Sequence, residues 1–89
     1  MKDIVFKGSS FKDFNEWSKT DNKIFKRIVQ LIEDTRRNPY KGIGKPEALK
    51  HQLKGCWSRR INDEHRLVYM VTEDTIEIIS CKYHYQKKE

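Results

Sequence analysis

Glu47 is the single carboxylate in residues 36–60, a stretch that also carries eight Lys and Arg residues: Arg36, Arg37, Lys41, Lys45, Lys50, Lys54, Arg59 and Arg60. A positive field of that density attracts an anion, and nucleic acid is its commonest partner. A lone carboxylate inside it weakens phosphate binding by repulsion, so its presence asks for another role, and taking a proton is one such role. Glu47, Lys50, Arg60, Arg66 and His84 together suffice for metal-free cleavage of RNA. That reaction needs a base for the ribose 2′-hydroxyl, a cation for the crowded phosphate and an acid for the departing 5′-oxygen. Glu47 suits the first role, Arg66 the second and His84 the third. His84 keeps its proton among so many cations only if phosphate or Glu47 offsets them.

The elements that must position these groups follow from periodicity. Residues 4–6 form a short apolar run ended by Gly8, with a helix N-cap expected at Ser9 or Ser10. Phe11, Phe14 and Trp17 recur at three-residue intervals, giving an amphipathic helix that ends near Lys19 and Thr20. Thr20 or Asp21 caps a second helix with an apolar stripe of Ile24, Phe25, Ile28, Val29, Leu31 and Ile32, which Asn38 and Pro39 stop. Residues 39–46 hold two prolines and two glycines and must be a loop leading into Glu47. Four runs of strand character follow, at 49–53, 57–62, 66–72 and 76–85, joined by short turns that predict an antiparallel meander. The expectation is therefore a single α+β domain over 1–89, with two N-terminal helices on one face of a mainly antiparallel sheet of about five strands. Residues 86–89 read as a frayed tail.

Strand alternation assigns faces. Ser58, Arg60 and Asn62 point one way, and Trp57, Arg59 and Ile61 the other. With Trp57 and Ile61 as core, Arg60 faces the open side, which is expected to be free for a ligand. In the last strand Ile76 and Ile78 fall in the polar register, and a bulge near its end would switch the face.

Composition bounds the rest. The net charge is +6, with 36% hydrophobic and 36% charged residues and ten aromatics, which suits one small domain of modest stability. The N-terminal apolar run is too short for a signal peptide and no stretch is long enough to span a membrane, so a cytoplasmic protein is expected. Cys56 and Cys81 lack metal-ligand spacing and read as reduced packing residues. No metal or cofactor is expected. Plainer roles stand beside the chemical ones: Glu47 paired with Lys45 or Lys50, His51, His65 and His84 as structural or solvated groups, and the lysines as solvated surface.

Several blocks in order carry a resemblance. Asp34-Thr35-Arg36-Arg37-Asn38-Pro39, the run from Gly42 to His51, Trp57-Ser58-Arg59-Arg60-Ile61, Glu64-His65-Arg66-Leu67-Val68-Tyr69 and Tyr83-His84-Tyr85 resemble YoeB-type toxins of the RelE superfamily of bacterial toxin-antitoxin systems. The resemblance implies a microbial-ribonuclease-like sheet and an endoribonuclease that cuts messenger RNA in the ribosomal A site, leaving a 2′,3′-cyclic or 3′-phosphate and a 5′-hydroxyl. It implies Glu47 as general base, His84 as general acid, Arg66 on the phosphate and Tyr85 shaping the site. Lys45, Lys50, Lys54, Arg59 and Arg60 are the RNA-contacting cations expected with them. It further implies a YefM-like antitoxin whose disordered segment folds across the toxin, operator DNA bound only through that complex, and allows a homodimer. Relatives end at or just after the tyrosine matching Tyr85, whereas this chain continues through Glu89. The competing readings are a non-catalytic basic nucleic-acid-binding module and a subunit for protein interaction within a repressor complex.

Overall fold

A computed structural model describes residues 1–83, so His84 and Tyr85 lie outside the described residues. Strand β1 (Asp3–Phe6) is followed by α1 (Ser10–Thr20) and α2 (Asn22–Arg37). Then come β2 (Glu47–Ala48), a 3₁₀ turn (His51–Leu53), β3 (Cys56–Arg60), β4 (Arg66–Val71) and β5 (Thr75–Ser80). The sheet order is β1-β5-β4-β3-β2. β2 to β5 form the expected antiparallel meander, and β1 joins the exposed edge of β5 in parallel.

The helices form where periodicity and capping agree. Asp21 caps α2 by accepting from the Ile24 N–H at 3.2 Å, and the helix closes on Arg36 and Arg37, which favour its negative end. Ser9 is the N-cap of α1 without a side-chain bond. Ser10 instead turns inward and donates from Oγ to the Ile78 carbonyl at 3.0 Å. Both helices cover one face of the sheet. Ile28, Leu31 and Ile32 pack there on Ile61, Leu67, Tyr69, Ile76, Ile78 and Cys81.

Two sequence expectations change. Residues 49–53 alternate Leu49, His51 and Leu53 like a strand, but His51 adopts a left-handed φ of 58° and the chain coils into the 3₁₀ turn. The strand is thus shorter and earlier, and Glu47 lies within it. Leu49 and Leu53 then meet Cys56, Val68, Met70 and Ile79 on the sheet face away from the helices. That face is partly covered by this small apolar cluster, so only part of it is open. β5 carries the anticipated irregularity: Val68 pairs with Ser80 while Tyr69 pairs with Ile78, leaving Ile79 as an extra residue. The shift lets Ile76 and Ile78, and then Cys81, all face the helices.

Cys56 and Cys81 are both free and buried. Burial raises both thiols, Cys81 to about 12, so neither is a thiolate at neutral pH and both act as packing groups. No helix among the described residues is long and apolar enough to cross a membrane.

Candidate active site and its supports

Strand register places the charged groups. Glu47 pairs with Ser58 across β2 and β3, and Arg60 pairs with Arg66 across β3 and β4. Cross-strand partners share a face, and so do residues two apart on one strand. Glu47, Ser58, Arg60 and Arg66 therefore occupy the face opposite the helices, with Glu47 one diagonal step from Arg60. Glu47 is exposed and, among the described residues, forms no ion pair, so pairing with Lys45 or Lys50 does not account for it. Arg60 is exposed and Arg66 half-buried. Nη1 of Arg66 donates to the carbonyls of Asn62 at 2.6 Å, His65 at 3.1 Å and Asp63 at 3.4 Å, which holds its guanidinium beside the β3–β4 turn. Lys45, Lys50 and Lys54 are exposed around the loop and the 3₁₀ turn. The arrangement is a carboxylate beside two cross-strand arginines with lysines at the rim.

Arg59 departs from its expected role. Its side chain is wholly buried, at 0% exposure, so it cannot contact RNA. It lies on the helix side, as the alternation with Trp57 and Ile61 indicated. There Nε donates to the Tyr69 hydroxyl at 3.1 Å, Nη1 to Asp34 Oδ2 at 2.6 Å and to the Ile43 carbonyl at 3.1 Å, and Nη2 to the carbonyls of Asn38 at 2.7 Å and Lys41 at 3.0 Å. All five guanidinium N–H groups are thereby used. Tyr69 in turn donates to the Pro39 carbonyl at 2.6 Å. The loop over residues 38–46 has few apolar side chains to hold it, and its inward carbonyls are satisfied by Arg59 in place of a ladder.

Two glycines let the loop sit this close. Gly44 has φ +82°, its carbonyl accepts from the Arg60 N–H at 2.7 Å, and an added Cβ would lie 2.8 Å from Leu31 Cδ2. Gly42 has φ +129°, and a Cβ there would collide with the Asp34 carboxylate. The loop delivers Glu47 three residues after Gly44, so Arg59 sets the position of Glu47 from beneath.

Asp34 completes this support. Its Oδ2 also accepts from the Ile43 N–H at 2.9 Å, and Arg37 lies 3.6 Å from Oδ1. The Ile43 backbone bond, then the Arg59 bond and the charges of Arg59 and Arg37, hold its carboxyl below the ordinary aspartate range despite some desolvation. Sequence reasoning missed Asp34 and Tyr69 as supports of the site. Their signal was available only in combination, since Tyr69 shares the inward register with Leu67, and Asp34 sits one turn before the helix end.

On the C-terminal side, Tyr83 is bound to the start of β4. Its N–H donates to His65 Nδ1 at 2.7 Å, and its carbonyl accepts from the Arg66 N–H at 3.1 Å. His65 is buried, in keeping with a structural role. The expected roles of His84 and Tyr85 fall outside the described residues.

Comparison with known proteins agrees with this architecture. Residues 6–85 match the family described as YoeB-like toxin of bacterial type II toxin-antitoxin system. The chain is 54% identical over 82 residues to Toxin YoeB of Escherichia coli strain K12, covering 92% of this chain and 98% of that protein. A structure of a YoeB dimer from Staphylococcus aureus superposes with a TM-score of 0.88 at 48% identity, covering 94% of this chain and 98% of that one. A heterotetrameric YoeB-YefM toxin-antitoxin complex from the same organism gives a TM-score of 0.87 at 48% identity, covering 96% and 99%. A two-helix, five-strand toxin fold is thus established, and the chain belongs to the YoeB-like toxins of bacterial type II toxin-antitoxin systems.

Arg59→Lys is expected to destabilise the fold by about 3 kcal/mol, since an ammonium cannot reach five acceptors and leaves buried carbonyls unpaired. Urea unfolding read by tryptophan fluorescence checks this, and a loss under about 0.5 kcal/mol contradicts the role of Arg59 as anchor. A second expectation concerns acid. Because the folded-state pKa of Asp34 is depressed, its contribution is complete above the unfolded value near 4 and is lost as pH falls through the folded value. The stability gap between wild type and Asp34→Asn should therefore be widest above about pH 5 and narrow below pH 4. A gap that stays constant from pH 6 to pH 2.5 excludes the depressed carboxyl.

Proposed function

We propose that this toxin is a ribosome-dependent endoribonuclease that cuts messenger RNA in the A site without a metal. The observation that carries the reading is an exposed carboxylate, Glu47, without an ion pair among the described residues and on the same sheet face as the cross-strand pair Arg60 and Arg66. Glu47 takes the proton from the ribose 2′-hydroxyl as that oxygen attacks the adjacent phosphorus. Arg66, with Arg60 beside it, stabilises the charge that develops on the phosphate oxygens. His84 gives its proton to the departing 5′-oxygen, and Tyr85 shapes the site around it. The products are a 2′,3′-cyclic phosphate, which hydrolyses to a 3′-phosphate, and a 5′-hydroxyl. Lys45, Lys50 and Lys54 contact the RNA backbone at the rim.

The toxin acts in the cytoplasm on translating ribosomes and is neutralised by a YefM-like antitoxin, as the relatives from S. aureus are bound by YefM. It also forms a homodimer, the state described for one such relative. The antitoxin carries the operator contacts, and the toxin enters repression through the complex.

Purified Glu47→Gln should lose A-site cuts by about 10²- to 10⁴-fold, the scale of a missing general base, while binding ribosomes as well as wild type or better. Primer extension on a translated messenger RNA locates the cuts. A wild-type protein that binds RNA tightly and cuts nothing would move the reading to a non-catalytic binding module. In a gel-shift assay the toxin-antitoxin complex should bind operator DNA more tightly than antitoxin alone. Equal affinity removes the toxin from repression.

A further inference from the structure

We infer that His65 is a positioning residue for the C-terminal segment, fixing the chain one residue before His84. The inference rests on the nuclease reading for its purpose, while its geometry stands on the described residues alone. His65 is 5% exposed, so its imidazole is placed by packing. It meets the Trp17 ring edge-to-face at a centroid distance of 4.9 Å and 71°, and the Tyr83 ring centre lies 5.6 Å away. Its backbone is fixed too. The His65 N–H donates to Asn62 Oδ1 at 2.8 Å, and its carbonyl accepts from the Ile61 N–H at 3.0 Å.

From this seat the ring does one specific thing: Nδ1 accepts the Tyr83 N–H at 2.7 Å. An acceptor nitrogen carries no proton, so a neutral His65 must hold its hydrogen on Nε2. Glu64 Oε1 lies 3.7 Å from Nε2, on the side where a positive or hydrogen-bearing nitrogen is favoured. Lys82 faces the same corner, with its ammonium 5.4 Å from the Tyr83 ring centre and 5.9 Å from that of Trp17. The N–H of the next residue, Arg66, donates to the Tyr83 carbonyl at 3.1 Å, so both backbone polar groups of Tyr83 are held.

Tyr83 needs that grip. Its φ is +63°, a left-handed conformation that bulky side chains rarely adopt and that persists only where surrounding bonds over-determine it. Two adjacent residues at the entry to β4, His65 just before it and Arg66 at its start, supply those bonds, one from a side chain and one from the backbone. Without the Nδ1 acceptor, the Tyr83 N–H is left unpaired beside a buried ring, and the chain relaxes toward ordinary φ. That relaxation turns the Tyr83 carbonyl and with it the bond that leads into residue 84. An acid displaced by about 1 Å costs on the order of 10²-fold in rate while leaving substrate contacts made elsewhere intact.

The test compares wild type with His65→Leu, which keeps apolar volume without an acceptor, and His65→Asn, whose side-chain oxygen can replace Nδ1. On translated messenger RNA, His65→Leu should lower kcat by roughly 10- to 100-fold with KM changed by less than about twofold, and His65→Asn should recover most of the loss. Nitrogen-15 NMR of the wild type should show His65 as the Nε2–H tautomer and a slowly exchanging Tyr83 amide. A folded His65→Leu protein with wild-type kcat, or a rapidly exchanging Tyr83 amide in the wild type, overturns the inference. If wild type cuts nothing, the nuclease reading has failed, and the ring and amide signals decide the clamp by themselves.

Discussion

The architecture of the site depends on one buried cation. Placing the guanidinium of Arg59 at 0% exposure carries a large desolvation cost, which its five hydrogen bonds and the Asp34 carboxylate must offset. The partners come from α2, the 38–46 loop and β4, while Arg59 itself belongs to β3. Such a group gives its neighbours little freedom, because moving any one of them strands a buried donor. The result is a polar core beneath the loop that aliphatic packing could not supply, since carbonyls of an irregular segment require donors and not methyl groups. The loop's shape, and hence where Glu47 enters the sheet, is a consequence of that accounting.

The same network redistributes the charge that dominates the sequence. Of the eight basic residues over 36–60, Arg59 is buried, Arg36 lies against Glu33 and donates to the Lys2 carbonyl, and Arg37 lies beside Asp34. Arg37, Lys41, Lys45, Lys50, Lys54 and Arg60 remain exposed. The external field is therefore weaker than a count along the chain indicates and more local, concentrated beside Glu47. An anion held there meets fewer cations, but ones that strand pairing has already aligned.

The helices, the meander and the loop were legible because each has a local physical signature: periodicity, caps, short turns, and prolines with glycines. What failed did so where a nonlocal partner decides. The alternation of Leu49, His51 and Leu53 fits a strand, yet only the small cluster on the far face of the sheet shows why the chain coils at His51. Arg59 and Arg60 are chemically identical in sequence, and charge alone sends both to RNA. The parity that grouped Arg59 with Trp57 and Ile61 was the better guide, and it needed Asp34, 25 residues earlier in the chain, to make burial tolerable. His65 is a similar case, since its inward register with Leu67 and Tyr69 is visible, whereas its bond to Tyr83 spans the whole β4–β5 hairpin.

A common device emerges at the two ends of the β3–β4 connection. Successive residues on a strand face opposite ways, so Arg59 fastens the loop beneath the sheet while Arg60 presents charge above it. At the entry to β4, His65 fastens Tyr83 while Arg66, the first residue of the strand, presents charge on the same upper face. The strand pleat thus turns each pair of neighbours into an anchor and a working group whose relative position is fixed by one peptide unit. The register then sets Arg60 directly opposite Arg66, a cross-strand pairing of like charges that is unfavourable by itself. Carbonyls of the turn offset part of that repulsion through Nη1 of Arg66. Glu47, one diagonal step from Arg60 on the same face, offsets a further part, and an anion over the pair would offset more. On the proposed nuclease reading, two like charges aligned on one face bind an anion more strongly as its charge grows, which would favour a phosphate gaining charge during attack over the same phosphate at rest.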